Sequence, residues 1–415
     1  MKSKLIAKNG HAALSKGFSL VELMISLALG SIVSAGVVQL FVANSETQSL
    51  LIGQSRMQES ARFSLAFIAR EVRQAGYRGC YSGTDALNST ILPESNLPYE
   101  FDLRTGLRGY EATAADTWDP SLAELPNTDA DLAMDNVLNT VFKTTYDYGA
   151  GNGIDLDTVV SGTDVVTFRH ISQVDARLGG FMNFGSTVYF DDTTLVMPST
   201  AEDLVVGIED GWDEFDLDHI AMIHDCQKAT MFRVTSANPW GRNTDKSPKA
   251  KTGNGDLTVT HDIADIDSTK NSLSQLAAGV SFSDDASVSA IVTSIFFIAP
   301  GAGTNNAGNN PLSLWKKEGL NAPIELVEGV ENLQILYGVD SNSDGVPNQY
   351  VAANFVAGFD IITIRVTIVV NSIDDVGSTS LPSHGCAIQD CVTDEAYDGL
   401  LRRSFSQTIM LRNRA

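Results

Sequence analysis

The sequence has little of several residue types on which enzymatic and nucleic-acid-binding sites depend. It holds only six histidines and four cysteines in 415 residues, and 28 lysines and arginines are set against 51 aspartates and glutamates. The resulting net charge of −23 argues against a general nucleic-acid-binding surface, which needs a basic face. The same charge fits a soluble, self-repelling domain.

Motifs of the common catalytic sites are also missing. The chain contains no Gly-x-Ser-x-Gly elbow, no His-Glu-x-x-His helix and no glycine-rich phosphate loop with a lysine. The histidines are dispersed, and adjacent carboxylates such as Asp191 and Asp192 lie in turn-like segments, where they are usually solvated. We therefore predict that the protein is not an enzyme, that it has no small-molecule substrate and that it acts by packing against other proteins.

Charge is nearly absent from one long stretch near the N-terminus. Residues 18–43 are almost all apolar or small, and Glu22 is their one charged residue. Because a bilayer-spanning helix needs about 20 apolar residues, we predict a transmembrane helix over about 18–43. Four lysines and no acid precede it, so the positive-inside rule keeps the N-terminus cytoplasmic and the remainder outside the inner membrane.

Two simpler interpretations of this stretch are a cleaved secretory signal and a plain signal anchor. Gly17 argues against the first, and Glu22 argues against the second. A secretory signal is cut after its apolar core at small residues, whereas Gly17 precedes the core. A carboxylate in hydrocarbon costs about 3 kcal/mol or more. Glu22 therefore needs a partner or a function.

The helical pattern continues beyond the apolar stretch to Gly76, a typical stop signal. We predict one helix over 18–76, apolar in its first half and amphipathic in its second half, where it faces a globular domain. The predicted buried stripe recurs at three- and four-residue steps and consists of Leu50, Leu51, Met57, Ala61, Leu65, Ile68 and Val72.

Strand patterns dominate residues 77–415. Alternation over 362–370 predicts a long half-buried strand, and two segments of weak periodicity, about 85–155 and 236–290, are interpreted as insertions. The first insertion is predicted to have little regular structure apart from a short helix near 130–138. One helix followed by strands favours an α+β fold, with the long helix packed on a mostly antiparallel sheet. Further strands are predicted at 159–171, 188–196, 220–224, 231–235, 257–260, 291–298, 312–316, 324–327, 333–339 and 405–411.

The four cysteines suggest two disulfides in an exported chain, with three pairings open. We favour Cys386–Cys391, which closes a small loop, together with Cys80–Cys226, which ties the end of the helix to the distal domain. No CxxC motif or paired histidine indicates a zinc site.

Residues 17–25, GFSLVELMI, resemble the class III signal of type IV pilins and type II secretion pseudopilins. The resemblance implies a leader over residues 1–17 that the prepilin peptidase removes between Gly17 and Phe18, followed by methylation of Phe18. Glu22 then becomes the fifth residue of the mature chain. Its implied role is to set the assembly register by pairing with the N-terminal ammonium of a neighbouring subunit.

Several distal stretches resemble the PilW class of minor pilins: QAGYRGC at 74–80, DC at 225–226, VEGVENLQILYGVD at 327–340 and MLRNR at 410–414. The resemblance implies a pilin-like domain over 77–415 and a minor pilin that primes type IV pilus assembly near the tip, supporting twitching motility and adhesion. Its implied partners are the other minor pilins, the major pilin, the prepilin peptidase, the inner-membrane assembly machinery and a tip adhesin. The protein would lie in the inner membrane before assembly and in the pilus afterwards.

Two alternative functions share the same helix. One is a minor pseudopilin of a type II secretion system. The other is a tip adhesin or DNA-uptake pilin that uses the insertions at 85–155 and 236–290 to bind surfaces or DNA.

A loop at 340–348, DSNSDGVPN, places oxygen-bearing groups at alternate positions, as in the first part of an EF-hand loop. The sixth position is Gly345, but the twelfth is Val351 and not the bidentate glutamate of that motif. The alternative is an Asx-rich turn between strands, since Asn, Asp and Gly favour turns. The candidate calcium ligands are Asp340, Asn342, Asp344, the backbone carbonyl of Val346, and Asn348.

Overall fold

The computed structural model describes most of the helix and of the C-terminal region, and shorter parts of the middle. The described residues are 19–81, 88–89, 103, 105–114, 116–125, 153–172, 176–178, 183–184, 187–188, 203–207, 220–227, 229–233, 236–239, 256–260, 287–319, 321–377 and 399–413. The predicted cleavage site at Gly17 and Phe18, the predicted helix near 130–138, most of both insertions and the Cys386–Cys391 pair lie outside them.

One helix, α1, runs from Leu20 to Gln74. It has no proline to interrupt its backbone hydrogen bonds, and the chain leaves it through Gly76 at a φ of 72°. Two compact units divide within it, Met1–Ile52 and Gly53–Ala415. The prediction of one long helix over 18–76 is confirmed to within two residues at each end.

The first half of α1 is the one helix among the described residues that is long and apolar enough to cross a membrane. Its hydroxyl groups bond back to the helix: Ser26 Oγ donates to the Glu22 carbonyl at 2.7 Å, and Ser31 Oγ donates to that of Ala28 at 2.8 Å. These bonds satisfy polar groups within the segment itself, as a lipid environment requires.

The second half of α1 contributes one face to the core, starting at Gly53. A Cβ atom added to Gly53 would lie 3.1 Å from Ser372 Cβ, so the helix approaches the adjacent loop closely there. Leu50 and Leu51 precede this point and are exposed, so their predicted place in the buried stripe is wrong. The buried residues of the helix are Gly53, Met57, Ala61, Ser64, Ile68, Ala69, Glu71 and Val72.

Strands make up most of the remaining described structure. In chain order they are β1 (Asn88–Ser89), β2 (Leu107–Ala114), β3 (Thr117–Asp119), β4 (Val165–Ile171), β5 (Ala176–Leu178), β6 (Asn183–Phe184), β7 (Thr187–Val188), β8 (Asp203–Gly207), β9 (Ile220–His224), β10 (Ala229–Arg233), β11 (Ser236–Pro239), β12 (Asp256–Thr260), β13 (Ser287–Pro300), β14 (Leu312–Glu318), β15 (Ile324–Glu328), β16 (Val330–Asp340), β17 (Gln349–Val351), β18 (Asp360–Asn371) and β19 (Arg402–Met410).

Strand β13 is the centre of the larger sheet. Its first residues pair with β9 and β5, and its later residues pair with β4 on one side and β14 on the other. A second sheet has the order β17-β16-β18-β19. Among the described pairs only β1–β10 is parallel, which confirms the mostly antiparallel prediction.

The main core lies between α1, the later part of the larger sheet and one face of the second sheet. Alternate residues of β18 are fully buried, namely Ile364, Val366, Ile368 and Val370, as their period-two pattern predicts. Each large apolar side chain buried in this way contributes about 1.5–3 kcal/mol relative to exposure. The α+β fold predicted from the sequence is therefore present, with its core where the helix and strand patterns converge.

The segment 85–155 departs from its prediction of little regular structure. It holds β2, which pairs with β4 inside the larger sheet, and β3, which forms a hairpin with β2. The expectation was wrong because β2 carries few apolar residues, and it is buried by neighbours distant in sequence. Tyr110 is fully buried there, and Gly109 leaves the room that Tyr337 Oη occupies.

A buried carboxylate joins α1 to the larger sheet. Glu71 is 6% exposed; Lys316 Nζ lies 3.2 Å from its Oε1, and His170 Nε2 lies 3.4 Å from its Oε2. Ser294 Oγ donates a further hydrogen bond at 3.1 Å. Burial raises the pKa of Glu71, but His170 and Lys316 outweigh it and lower that pKa to about 2. The carboxylate is therefore ionised, and this stabilisation is lost only as the pH falls from about 4.5 through about 2.

We predict that Glu71→Gln lowers the free energy of unfolding by about 3 kcal/mol, because breaking a buried ion pair leaves its partners uncompensated. Glu318→Gln is the matched control, since Glu318 contacts the same Lys316 from a half-exposed position and its loss costs at most about 1 kcal/mol. Chemical denaturation of the detergent-solubilised chain, followed by tryptophan fluorescence, measures both. Equal effects of the two substitutions would contradict the anchoring role of Glu71.

A second buried carboxyl, Asp164, links the two sheets. Its Oδ1 accepts from the Ala112 amide at 3.1 Å and its Oδ2 accepts from the Ile335 amide at 2.7 Å. Burial and the nearby Glu111 raise the pKa of Asp164 to about 8, although the two amide bonds act in the opposite direction. The folded chain therefore retains a proton that the unfolded chain releases near its ordinary pKa of 3.8.

A raised carboxyl pKa stabilises the fold fully at low pH, and this stabilisation is lost as the pH rises from 3.8 through about 8. The loss amounts to about 1.4 kcal/mol per pH unit in that window. We predict that Asp164→Asn, which cannot titrate, lacks this downward slope. The measurement is the free energy of unfolding at a series of pH values for both chains; parallel curves would contradict the assignment.

Candidate functional site

The N-terminal turn of α1 carries the carboxylate that the sequence singles out. Glu22 lies in the first turn of the helix and is exposed, and the Leu23 amide donates to the Ser19 carbonyl at 3.1 Å to start the hydrogen-bonded helix. A carboxylate in a first turn interacts favourably with the helix dipole. Gly17 and Phe18, the other residues of this predicted site, lie outside the described residues.

The C-terminal end of α1 is fastened covalently. A disulfide joins Cys80, six residues beyond the helix, to Cys226 in the turn between β9 and β10, with the two Cα atoms 4.7 Å apart. This is the pairing predicted for these two cysteines. A bridge across 146 residues stabilises the fold by about 2–5 kcal/mol by restricting the unfolded chain.

The backbone around this disulfide is closely packed. A Cβ atom on Gly79 would lie 2.5 Å from His224 Cε1, and Gly79 has a φ of 68°, so only glycine fits. The Gly76 amide donates to the Arg169 carbonyl at 2.8 Å, and the Ile171 amide donates to the Tyr77 carbonyl at 3.0 Å. The chain leaving the helix is thus held along β4 as well as by the disulfide.

The candidate calcium loop connects β16 to β17. The Gly345 amide donates to Asp340 Oδ2 at 2.6 Å, and the Asn342 amide donates to Asp340 Oδ1 at 3.2 Å. The Ser341 amide donates to Asn348 Oδ1 at 2.8 Å, which closes the loop. Ser343 and Gly345 have positive φ angles, which give the loop its tight curvature.

These bonds also set the charge of Asp340. Burial raises its pKa, but the backbone amides of residues 342–345 outweigh burial and hold the pKa below its ordinary value. The group is therefore an ionised carboxylate at neutral pH. Among the described residues no three His, Cys, Asp or Glu side chains converge as a metal site, so a cation here would rely on Asp340, Asp344 and the asparagine oxygens.

Two segments of the chain match models of known protein families. Residues 295–413 match type IV pilus-assembly protein W, and residues 13–38 match the prokaryotic N-terminal methylation motif. These two matches support a PilW-type type IV pilin.

The pilin match covers the part of the core formed by the last six residues of β13 and by β14 to β19. Of the stretches that resemble the PilW class, those at 327–340 and 410–413 fall inside it, and those at 74–80 and 225–226 fall outside. The methylation-motif match spans Gly17, Phe18 and Glu22. Comparisons with curated proteins and with solved structures gave no match.

Both matches support a type IV pilus-related pilin, and the pilin family is structural. The family implies interaction with other pilus components and with the prepilin peptidase. The apolar first half of α1 fits membrane anchoring.

Sequence reasoning missed the cluster that anchors the pilin helix. One signal was available, since Glu71 lies between Ile68 and Val72 on the predicted buried stripe. Nothing in the sequence pointed to His170 and Lys316 as its partners, because they come from separate strands, β4 and β14.

Proposed function

We propose that the protein is a minor pilin that primes assembly of the type IV pilus and is incorporated near its tip, supporting twitching motility and adhesion. The observation that carries this is one uninterrupted helix whose apolar half has a lone carboxylate in its first turn and whose other half belongs to the β-domain core. Such a chain can be held in a membrane and pulled into a helical polymer without refolding.

In this proposal the prepilin peptidase removes residues 1–17 at the cytoplasmic face and methylates Phe18. Residues 77–415 lie on the outer side of the inner membrane before assembly and at the pilus surface afterwards. The partners are the other minor pilins, the major pilin, the inner-membrane assembly machinery and a tip adhesin. The lysines before the apolar stretch and the disulfide at Cys80 support this orientation.

Glu22 acts in this proposal as a register device. Cleavage frees an ammonium at Phe18, one turn from Glu22 along the same helix. A carboxylate among hydrocarbon is costly until it is paired, so a subunit whose Glu22 meets the ammonium of its neighbour is favoured over one that is out of step.

We predict that Glu22→Ala leaves cleavage and membrane insertion intact but lowers incorporation into sheared pili by about tenfold or more, the effect of losing a pair worth about 1.4 kcal/mol. Electrophoretic mobility reports cleavage, membrane fractionation reports insertion, and immunoblots of sheared pili report incorporation.

The matched control is Ser26→Ala, one turn further along the helix. This change removes only a hydroxyl group that bonds to the Glu22 carbonyl. The Ser26→Ala chain should be incorporated into pili to the same extent as the wild-type chain. Normal incorporation of Glu22→Ala, with twitching intact, would refute the role of Glu22.

We also propose that the loop at residues 340–348 binds Ca²⁺. The ionised Asp340 is held in place by backbone amides, and Asp344 Oδ2 accepts from the Asn342 side chain at 3.0 Å, which keeps the side-chain oxygens together. Two carboxylates give a site of modest affinity, of the order of 10⁻⁴–10⁻³ M as in extracellular modules.

Isothermal titration of the full chain in detergent with CaCl₂ tests this second proposal. We predict that wild type and the remote surface variant Glu328→Gln give the same saturable heat and that Asp344→Asn abolishes it, because it removes one of the two carboxylates. An absence of heat with wild type would show that the loop is an Asx-rich turn only.

A further inference from the structure

A pocket of about 510 Å³ lies away from the helix, beside the β2–β3 hairpin. Two short 3₁₀-helices, Leu122–Glu124 and Leu156–Thr158, complete its wall. Its floor belongs to a second apolar cluster, in which Leu122 and Val159 are each 5% exposed. The volume lies within the range typical of small-ligand sites, about 300–1,000 Å³.

An immobilised aromatic ring lines the pocket. Trp118 is half-buried against the second apolar cluster, and its Nε1 donates to the Thr163 carbonyl at 2.8 Å. The indole is therefore satisfied at its polar edge and fixed in orientation. A rigid aromatic ring of this kind offers an apolar stacking surface at little entropic cost.

Two exposed carboxylates also line the pocket. Asp116 and Asp157 form no ion pair within the part of the chain that the structure describes. Local bonds set their backbones: the Asp116 amide donates to Ser161 Oγ at 2.9 Å, and the Asp157 amide donates to Asp155 Oδ1 at 3.2 Å. Asp116 has a φ of 56°. Residues other than glycine seldom adopt this conformation, and Asn and Asp do so more often than most.

Two hydroxyl-bearing residues, Ser121 and Thr117, also line the pocket. Ser121 Oγ accepts from the Ala123 amide at 3.3 Å, which leaves its own hydrogen able to donate. The Thr117 hydroxyl lies 3.2 Å from Thr113 Oγ1. The pocket therefore combines an apolar ring and floor with carboxylate acceptors and a serine hydroxyl that can both donate and accept.

We propose that this pocket binds a saccharide. The C–H face of a sugar ring stacks on an indole, and neighbouring sugar hydroxyls donate to a carboxylate, forming charge-assisted hydrogen bonds. A purely apolar ligand would desolvate the carboxylates without compensation, and an anionic ligand would be repelled by them. The inference adds a ligand to a chain predicted to have no small-molecule substrate, and it does not depend on the assembly role of Glu22.

Binding is tested with the labelled full chain in lauryldimethylamine oxide, since a maltoside detergent would itself present a sugar. The probe is a glycan array with neutral, amino-bearing and sialylated oligosaccharides. We expect binding to neutral glycans. In solution titrations with the strongest neutral glycan, Asp116→Asn and Asp157→Asn should each weaken affinity about tenfold, because each loses a hydrogen bond to a charged group.

Asn tolerates the backbone conformation of Asp116, so Asp116→Asn preserves the loop. Asp119→Asn is the control, since Asp119 is exposed on the same hairpin but does not line the pocket. The affinity of this variant for the neutral glycan should equal that of wild type. The proposal is overturned if wild type binds no glycan, or if neither pocket variant differs from the control. Binding confined to amino-bearing glycans would overturn it in favour of a site for cations.

Discussion

The contact of Glu71 with Lys316 and His170 is the interaction on which the rest of the structure depends. It lies where the second half of α1 meets the strands β4, β13 and β14, and it requires all of these elements to be in place at once. Burial of apolar surface is non-directional, whereas a buried carboxylate requires specific partners, because its ionised form is stable only beside them. The disulfide of Cys80 then holds the chain just beyond the helix.

Three carboxyl groups in this chain differ in how the cost of a charge in an apolar medium is offset or avoided. Glu71 is buried beside Lys316 and His170 of its own chain and stays ionised. Asp164 is buried between two backbone amides near another acid, and its pKa is raised to about 8. Glu22 has no cation within the described part of its own unit, and in the proposed function its partner belongs to a neighbouring subunit. The cost of an unpaired charge in an apolar medium thus shapes both the fold and the proposed assembly.

Much of the fold could be predicted because its signals are local. The pattern at 220–224 coincides with β9, and the alternation at 362–370 lies within β18. The hairpin of β2 and β3 was missed because its burial comes from Tyr337 and β4, which are distant in sequence. Likewise, the loop at 340–348 was recognisable from its Asx and Gly residues, whereas the pocket at Trp118 had no sequence signature, since its walls come from segments some forty residues apart.

The sequence by itself determined the N-terminal methylation motif, the apolar helix with its one carboxylate, the strand patterns and the pairing options of Cys80 and Cys226. Each of these follows from residue type and spacing along one segment. Only the tertiary structure decided the partners of Glu71, the raised pKa of Asp164 and the convergence of Asp116, Trp118 and Asp157 on one pocket. These properties depend on distances between groups that the chain brings together, and on how much water the fold removes from between them.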